Sequence, residues 1–85
     1  MSGTRAARSG RSEALFESLR TTRRELAKAA GVPPYIIATD RTLWDMVDLE
    51  PCDSTSLKLV HGMGDNKIQR FGEDFLDAID KFNAA

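Results

Sequence analysis

At 85 residues, with 41 % hydrophobic side chains and no long apolar run, the chain is sized for one domain with a single modest core; it holds no membrane span and no signal-peptide pattern, and reads as cytosolic. Its one cysteine, Cys52, excludes an internal disulfide and a zinc site of the usual thiol spacing. The formal charge of −1 hides a split: Arg5, Arg8 and Arg11 lie in an acid-free leader, and the nine basic and thirteen acidic side chains from Ser12 onward argue against tight, charge-driven nucleic-acid binding.

Met1 to Arg11, rich in Ser, Gly, Ala and Arg without an apolar period, reads as a flexible linker or leader, and residues 12–85 as the folded domain. Ser12 is placed to cap a first helix, along which Leu15, Phe16, Leu19, Thr22, Leu26, Ala27 and Ala30 recur at helical spacing. Gly31 suits the left-handed position after the last turn, and Pro33 and Pro34 prevent continuation. Glu17, Arg20, Arg24 and Lys28 fall on the outer face. Arg23 falls at the edge of the apolar stripe, where its guanidinium should seek a carboxylate or a helix C-terminus.

Pro33 to Ile37 has room for a single tight turn, with Pro34 at its first position and Ile36 and Ile37 directed at the core. Tyr35 on this stiff turn has two readings: a ring covering the end of the first helix, or a platform that stacks an unpaired base. Thr39 or Asp40 then caps a helix of about ten residues with Leu43, Met46 and Val47 inward, and Pro51 ends it. Trp44 lies at the margin of that stripe. Beside it Asp45, Asp48, Glu50 and Asp53 form an acidic shoulder, which reads as solvated surface or as a docking face for a basic protein.

Cys52 to Ser56 offers caps for a short helix from Ser56 to His61, with Leu57 and Val60 inward. A hairpin follows. Gly62 and Gly64 can both take positive φ and Met63 between them faces in as a plug, so the amides after the turn remain open to a phosphate. From Asp65 a long helix sends Ile68, Phe71, Phe75, Ala78, Ile79 and Phe82 along one face. Gly72 inside it marks close approach by another helix. Lys67 and Arg70 lie outside near the hairpin, Lys58 can join them, and Glu73, Asp74, Asp77 and Asp80 follow further along.

No nucleophile and base at useful spacing, no phosphate-binding glycine loop with a lysine and no paired metal ligands occur, so no catalytic residue, metal or cofactor is expected. Three stretches carry a resemblance: Leu15 to Arg20 through Arg23-Arg24-Glu25-Leu26-Ala27; Gly31 to Ile37 with Asp40-Arg41-Thr42-Leu43; and Gly62-Met63-Gly64 with Lys67 to Gly72. In this order they closely resemble the helicase-and-RNase-D C-terminal (HRDC) domain over roughly Glu13 to Phe82, in the version carried by bacterial RecQ-family DNA helicases.

The resemblance implies an all-α, compact orthogonal bundle of about five helices with a hairpin like that of helix-hairpin-helix proteins. It implies an accessory module, not itself an enzyme, of an ATP-dependent DNA helicase of repair and recombination. The module would be a monomer by itself, working at the bacterial nucleoid and weakly contacting single-stranded or branched DNA. Matched onto this sequence, the nucleic-acid contacts are Tyr35, Gly62, Gly64, Lys67 and Arg70, to which the hairpin's own reading adds Met63 and Lys58. Lys58 stands where the family is frequently apolar and Trp44 where it is frequently charged. The rival expectation is a protein-interaction or regulatory module, docking on the helicase core or another protein through Trp44, Asp45 and Asp48. A plain helix-hairpin-helix, with Leu57, Val60, Gly62, Gly64 and Ile68 at its spacing, covers too little of the chain.

Overall fold

The computed structural model describes residues 10–85; Arg5, Arg8 and most of the leader lie outside the described residues. The described chain is helical and, within it, strand-free: α1 (Gly10–Ala30), α2 (Pro34–Ile37), α3 (Asp40–Leu49), α4 (Ser54–Leu57) and a long last helix, α5, over 65–84. None of these helices is long and apolar enough to cross a membrane. α1 lies along the second half of α5 and also carries α2 and α3, while α4 packs on the start of α5. Leu15, Leu19, Ile37, Leu43, Met46, Leu57 and Phe75 meet between them as fully buried side chains.

Local chemistry explains most of the boundaries. α1 ends in a Schellman motif: Gly31 takes φ +70°, its N–H reaches the Lys28 carbonyl, and the Val32 N–H reaches that of Ala27. Thr39 caps α3, its side chain accepting from the Thr42 N–H. α4 starts two residues earlier than the sequence suggests and is shorter, because Asp53, not a later residue, forms the capping box with Ser56. Two Ser56 donors on Asp53 hold its carboxyl below the usual aspartate range, the backbone N–H contributing most.

The N-terminal boundary also differs from expectation. Gly10 and Arg11 already belong to α1, so Ser12 lies within the helix and is not its cap. Arg11 is tied into the fold: it pairs with Glu50 at 2.8 Å, hydrogen-bonds Asn83 and lies 5.3 Å over the Phe82 ring. Glu50 closes α3 in the left-handed conformation at φ +43°, one that glycine adopts at lower cost. Its carboxylate is the reason for a glutamate there, and the hydrogen bond from Arg11 holds its pKa below the ordinary range.

α5 is continuous but not uniform. It begins as α-helix (Asp65–Lys67), widens to a π-helical turn (Ile68–Gly72) and returns to α-helix (Glu73–Ala84), with right-handed backbone angles at both junctions. Gly72 is buried there, and a Cβ on it would come within 3.1 Å of Leu57 and 3.2 Å of Ile68, which is the close approach its position suggests.

Arg23 joins α1 to the turn that bears Tyr35. Mostly buried at 12 % exposure, it donates to the carbonyl of fully buried Ala38 at 3.0 Å and pairs with Asp40 at 2.9 Å. Arg23→Ala should therefore strand a buried carbonyl and lower stability by about 1–3 kcal/mol, read as a shifted urea midpoint. A midpoint equal to the parent's would show that the tie contributes nothing.

Candidate nucleic-acid interface

α2 is a single turn built for display. Pro33 precedes it in extended conformation (φ −63°, ψ 149°), Pro34 occupies its first position, and Ile37 anchors it in the core at 1 % exposure. With Ile37 inward, Tyr35 is left 66 % exposed. Ile36 points outward as well, at 47 %, contrary to its expected core position: on one turn, consecutive residues are about 100° apart and only one can face the core.

The hairpin reverses at Gly62, whose φ is +82°. Gly64 departs from the expected positive φ; at φ −80°, ψ 175° it stands in the N-cap position of α5. Having no side chain, it supplies no cap, so the first-turn N–H groups of Asp65, Asn66 and Lys67 have no acceptor in their own helix. Met63, buried at 3 % exposure, is the plug that fixes the turn and is withdrawn from any surface contact.

Folding brings these two parts together. A cleft of about 180 Å³ separates Ala30, Val32, Ile36 and Ile37 from Asn66, Lys67, Arg70 and Phe71. Lys67 and Arg70 thus stand across a small apolar floor from the turn that displays Tyr35. Arg70 is exposed with its guanidinium 5.0 Å from the Phe71 ring centroid, and Lys67 is half-buried. Lys58 is exposed on the other flank of the hairpin, 3.7 Å from Asp65, which partly offsets its charge. The family model described as the HRDC domain matches residues 12–79, four-fifths of the chain.

The chain belongs to the HRDC domain family. The solved HRDC domain 3 of D. radiodurans RecQ superposes with a TM-score of 0.84 at 34 % identity, covering 87 % of this chain and 97 % of that one. The ATP-dependent DNA helicase RecQ of Bacillus subtilis (strain 168) is 37 % identical over 68 residues, which is 80 % of this chain and 12 % of the helicase. The ATP-dependent DNA helicase UvrD2 of Mycobacterium tuberculosis is 34 % identical over 67 residues, 79 % of this chain and 10 % of that protein. The chain thus spans about a tenth of the length of these curated relatives.

In this HRDC domain the Trp44 face is occupied with structural work. Trp44, partly buried, stacks on Phe16 of α1 with ring centroids 4.0 Å apart and planes 11° from parallel. The acidic shoulder is divided: Asp45 accepts the His61 N–H at 2.7 Å and so fastens α3 to the hairpin, Glu50 holds Arg11, and Asp53 caps α4. Among the described residues no group of three or more His, Cys, Asp or Glu side chains is arranged to hold a metal ion.

Of the cleft's lining only Lys67 and Arg70 are named by the sequence as site residues; it passes over Asn66 and assigns Ile36 to the core. Asn66 is a polar residue on the first turn of α5, and the only local signal for it is its place between Gly64 and Lys67. Ile36 is found by the argument that a single turn cannot bury both isoleucines.

Proposed function

We propose that this HRDC domain is an accessory nucleic-acid-contacting module of an ATP-dependent DNA helicase, holding single-stranded or branched DNA weakly at the end formed by α2 and the hairpin. The helicase parent is inferred from the RecQ and UvrD2 relatives, both named ATP-dependent DNA helicases. The observation that carries the DNA reading is the cleft that sets Lys67 and Arg70 opposite the turn displaying Tyr35.

Each part has a distinct task. Tyr35 offers a ring on which an unpaired base stacks, and the proline turn keeps the entropic cost of holding it low. Lys67, Arg70 and the open amides after Gly64 receive the flanking phosphates, with Lys58 as a more distant cation. The net acidity of the remaining surface keeps binding local and weak, as suits a module that works tethered to a motor.

A titration of the isotope-labelled domain with a short single-stranded oligonucleotide at two salt concentrations tests this. Amide shifts should appear at Tyr35, Gly64 to Lys67 and Arg70 and fade as salt rises. Tyr35→Ala should weaken binding by about 1–3 kcal/mol. Lys67→Ala should lower the slope of log affinity against log salt by about 0.7. A silent spectrum at low salt would end the DNA reading of this surface.

A further inference from the structure

Away from the hairpin the surface changes character. α5 forms a ridge between two grooves that share Asp77. The larger, of about 600 Å³, runs between α1 and α5 with Leu26, Ala78 and Phe82 in its lining and Glu25 and Asp74 on its walls. Thr21 and Thr22 also line it, but their hydroxyls donate to the Glu17 and Ser18 carbonyls of their own helix. The smaller, of about 290 Å³, has Pro51, Leu76 and Ile79 in its lining, with Glu50, Glu73 and Asp80 around them.

The acids of this face are largely uncompensated. Lys81 pairs with Asp77 at 3.2 Å and Arg11 with Glu50 at 2.8 Å, whereas Glu25, Glu73, Asp74 and Asp80 make no ion pair among the described residues. Such a face repels phosphate, so it is not an extension of the proposed DNA contact. Grooves that mix a few apolar side chains with polar ones and are edged by unpaired carboxylates are complementary to one kind of ligand, a cationic chain that also carries some apolar side chains. The larger groove is lined by residues 18–26 of α1 and 74–82 of α5, eight residues of rise on each helix, or about 12 Å. That length accommodates about two turns of a helix.

We propose that this two-groove face docks a basic amphipathic segment of a protein partner, its apolar side chains entering the grooves and its lysines and arginines meeting Glu25, Glu73, Asp74 and Asp80. The domain then has two independent ends, one facing nucleic acid at the hairpin and one facing protein along α5. The protein-binding end does not depend on the DNA reading.

The test uses the labelled 85-residue chain and a 15-residue model helix with leucines along one face, flanked by lysine and arginine, beside a scrambled peptide of the same composition. Shifts are expected at Glu25, Leu26, Leu76, Ala78 and Phe82, with Tyr35 and the hairpin silent. The double variant Asp74→Lys, Asp80→Lys changes two exposed side chains and should weaken binding about tenfold while leaving the thermal melt in place. Tyr35→Ala should leave the affinity unchanged. A scrambled peptide that binds equally well, shifts that spare Ala78 and Phe82, or full affinity in the charge-reversed variant would each overturn the proposal.

Discussion

Gly62→Ala is expected to destabilise the domain by about 2–4 kcal/mol, whereas Gly64→Ala, two residues on, should stay within about 0.5 kcal/mol of the parent. At Gly62 two penalties coincide. Its φ of +82° costs an L side chain about 1–2 kcal/mol, and a Cβ would lie 2.6 Å from Thr42 Oγ1. Thr42 cannot give way cheaply, because it is buried and its hydroxyl is hydrogen-bonded to that of Thr39, the cap of α3. The strain therefore passes from the hairpin into α3. At Gly64 the backbone is extended and a Cβ meets nothing within 4 Å. There the loss of a favourable N-cap glycine and the lower entropy of the unfolded chain oppose one another and nearly cancel. Urea denaturation of the two variants at equal m-value measures the difference. Equal midpoints would show that the turn is tolerant at Gly62, and the hairpin would lose its claim to be the rigid part of the interface.

This asymmetry also marks where sequence reasoning reaches its limit. A glycine pair announces a turn, but neither that Gly62 alone of the two takes positive φ nor that its missing Cβ makes room for Thr42, a residue of another helix, can be read locally. Features encoded within a few residues were legible: the stripe of α1, the stop at Gly31, a cap at either Thr39 or Asp40 that the fold settles on Thr39, the single turn with Pro34 at its start, and the close contact at Gly72. Where several adjacent residues were equally fit for one task, the choice slipped. Cys52 to Ser56 holds several candidate caps, and the box closed on Asp53 rather than further along. The π-helical turn left no trace at all, because Ile68, Phe71 and Phe75 keep an ordinary helical spacing through it.

Long-range chemistry was the other gap. Arg11 is a leader arginine by composition, yet across 39 residues it holds the end of α3 and across 72 residues it reaches Asn83. For the candidate site, Tyr35, Lys67 and Arg70 were recognisable as residue types. That Lys67 and Arg70 share a cleft with Ile36 and Ile37 of the turn that bears Tyr35 depends on where α1 carries α2 relative to the start of α5, which no local pattern encodes. The acidic shoulder around Trp44 shows the converse: a run that reads as one surface is divided by folding among a strut to His61, a partner for Arg11 and a helix cap.

Phe75→Ala should destabilise the domain by about 3–5 kcal/mol, the largest single-residue effect expected. Phe75 is completely buried and is the bulkiest of the fully buried side chains. It belongs to the α-helical part of α5, three residues beyond Gly72, and therefore sits where the hairpin end of the helix passes into the half that packs on α1. Truncation removes the ring's transfer free energy and leaves a cavity in a core that relaxes only in part. In a chain of 85 residues the total stability is of the order of 5–10 kcal/mol, so the variant should lose about a third of it or more and melt well below the parent. Phe75→Leu keeps most of the volume and should recover the greater part of the loss. Thermal and urea melts of both variants, with DNA binding measured only under conditions where each is folded, separate support from contact. If folded Phe75→Leu bound an oligonucleotide as the parent does, Phe75 would be confirmed as a residue that holds the interface up without touching the ligand. A Phe75→Ala melt within about 1 kcal/mol of the parent would instead mean that the core around α5 repacks freely, and the fixed geometry of the cleft could no longer be argued from it.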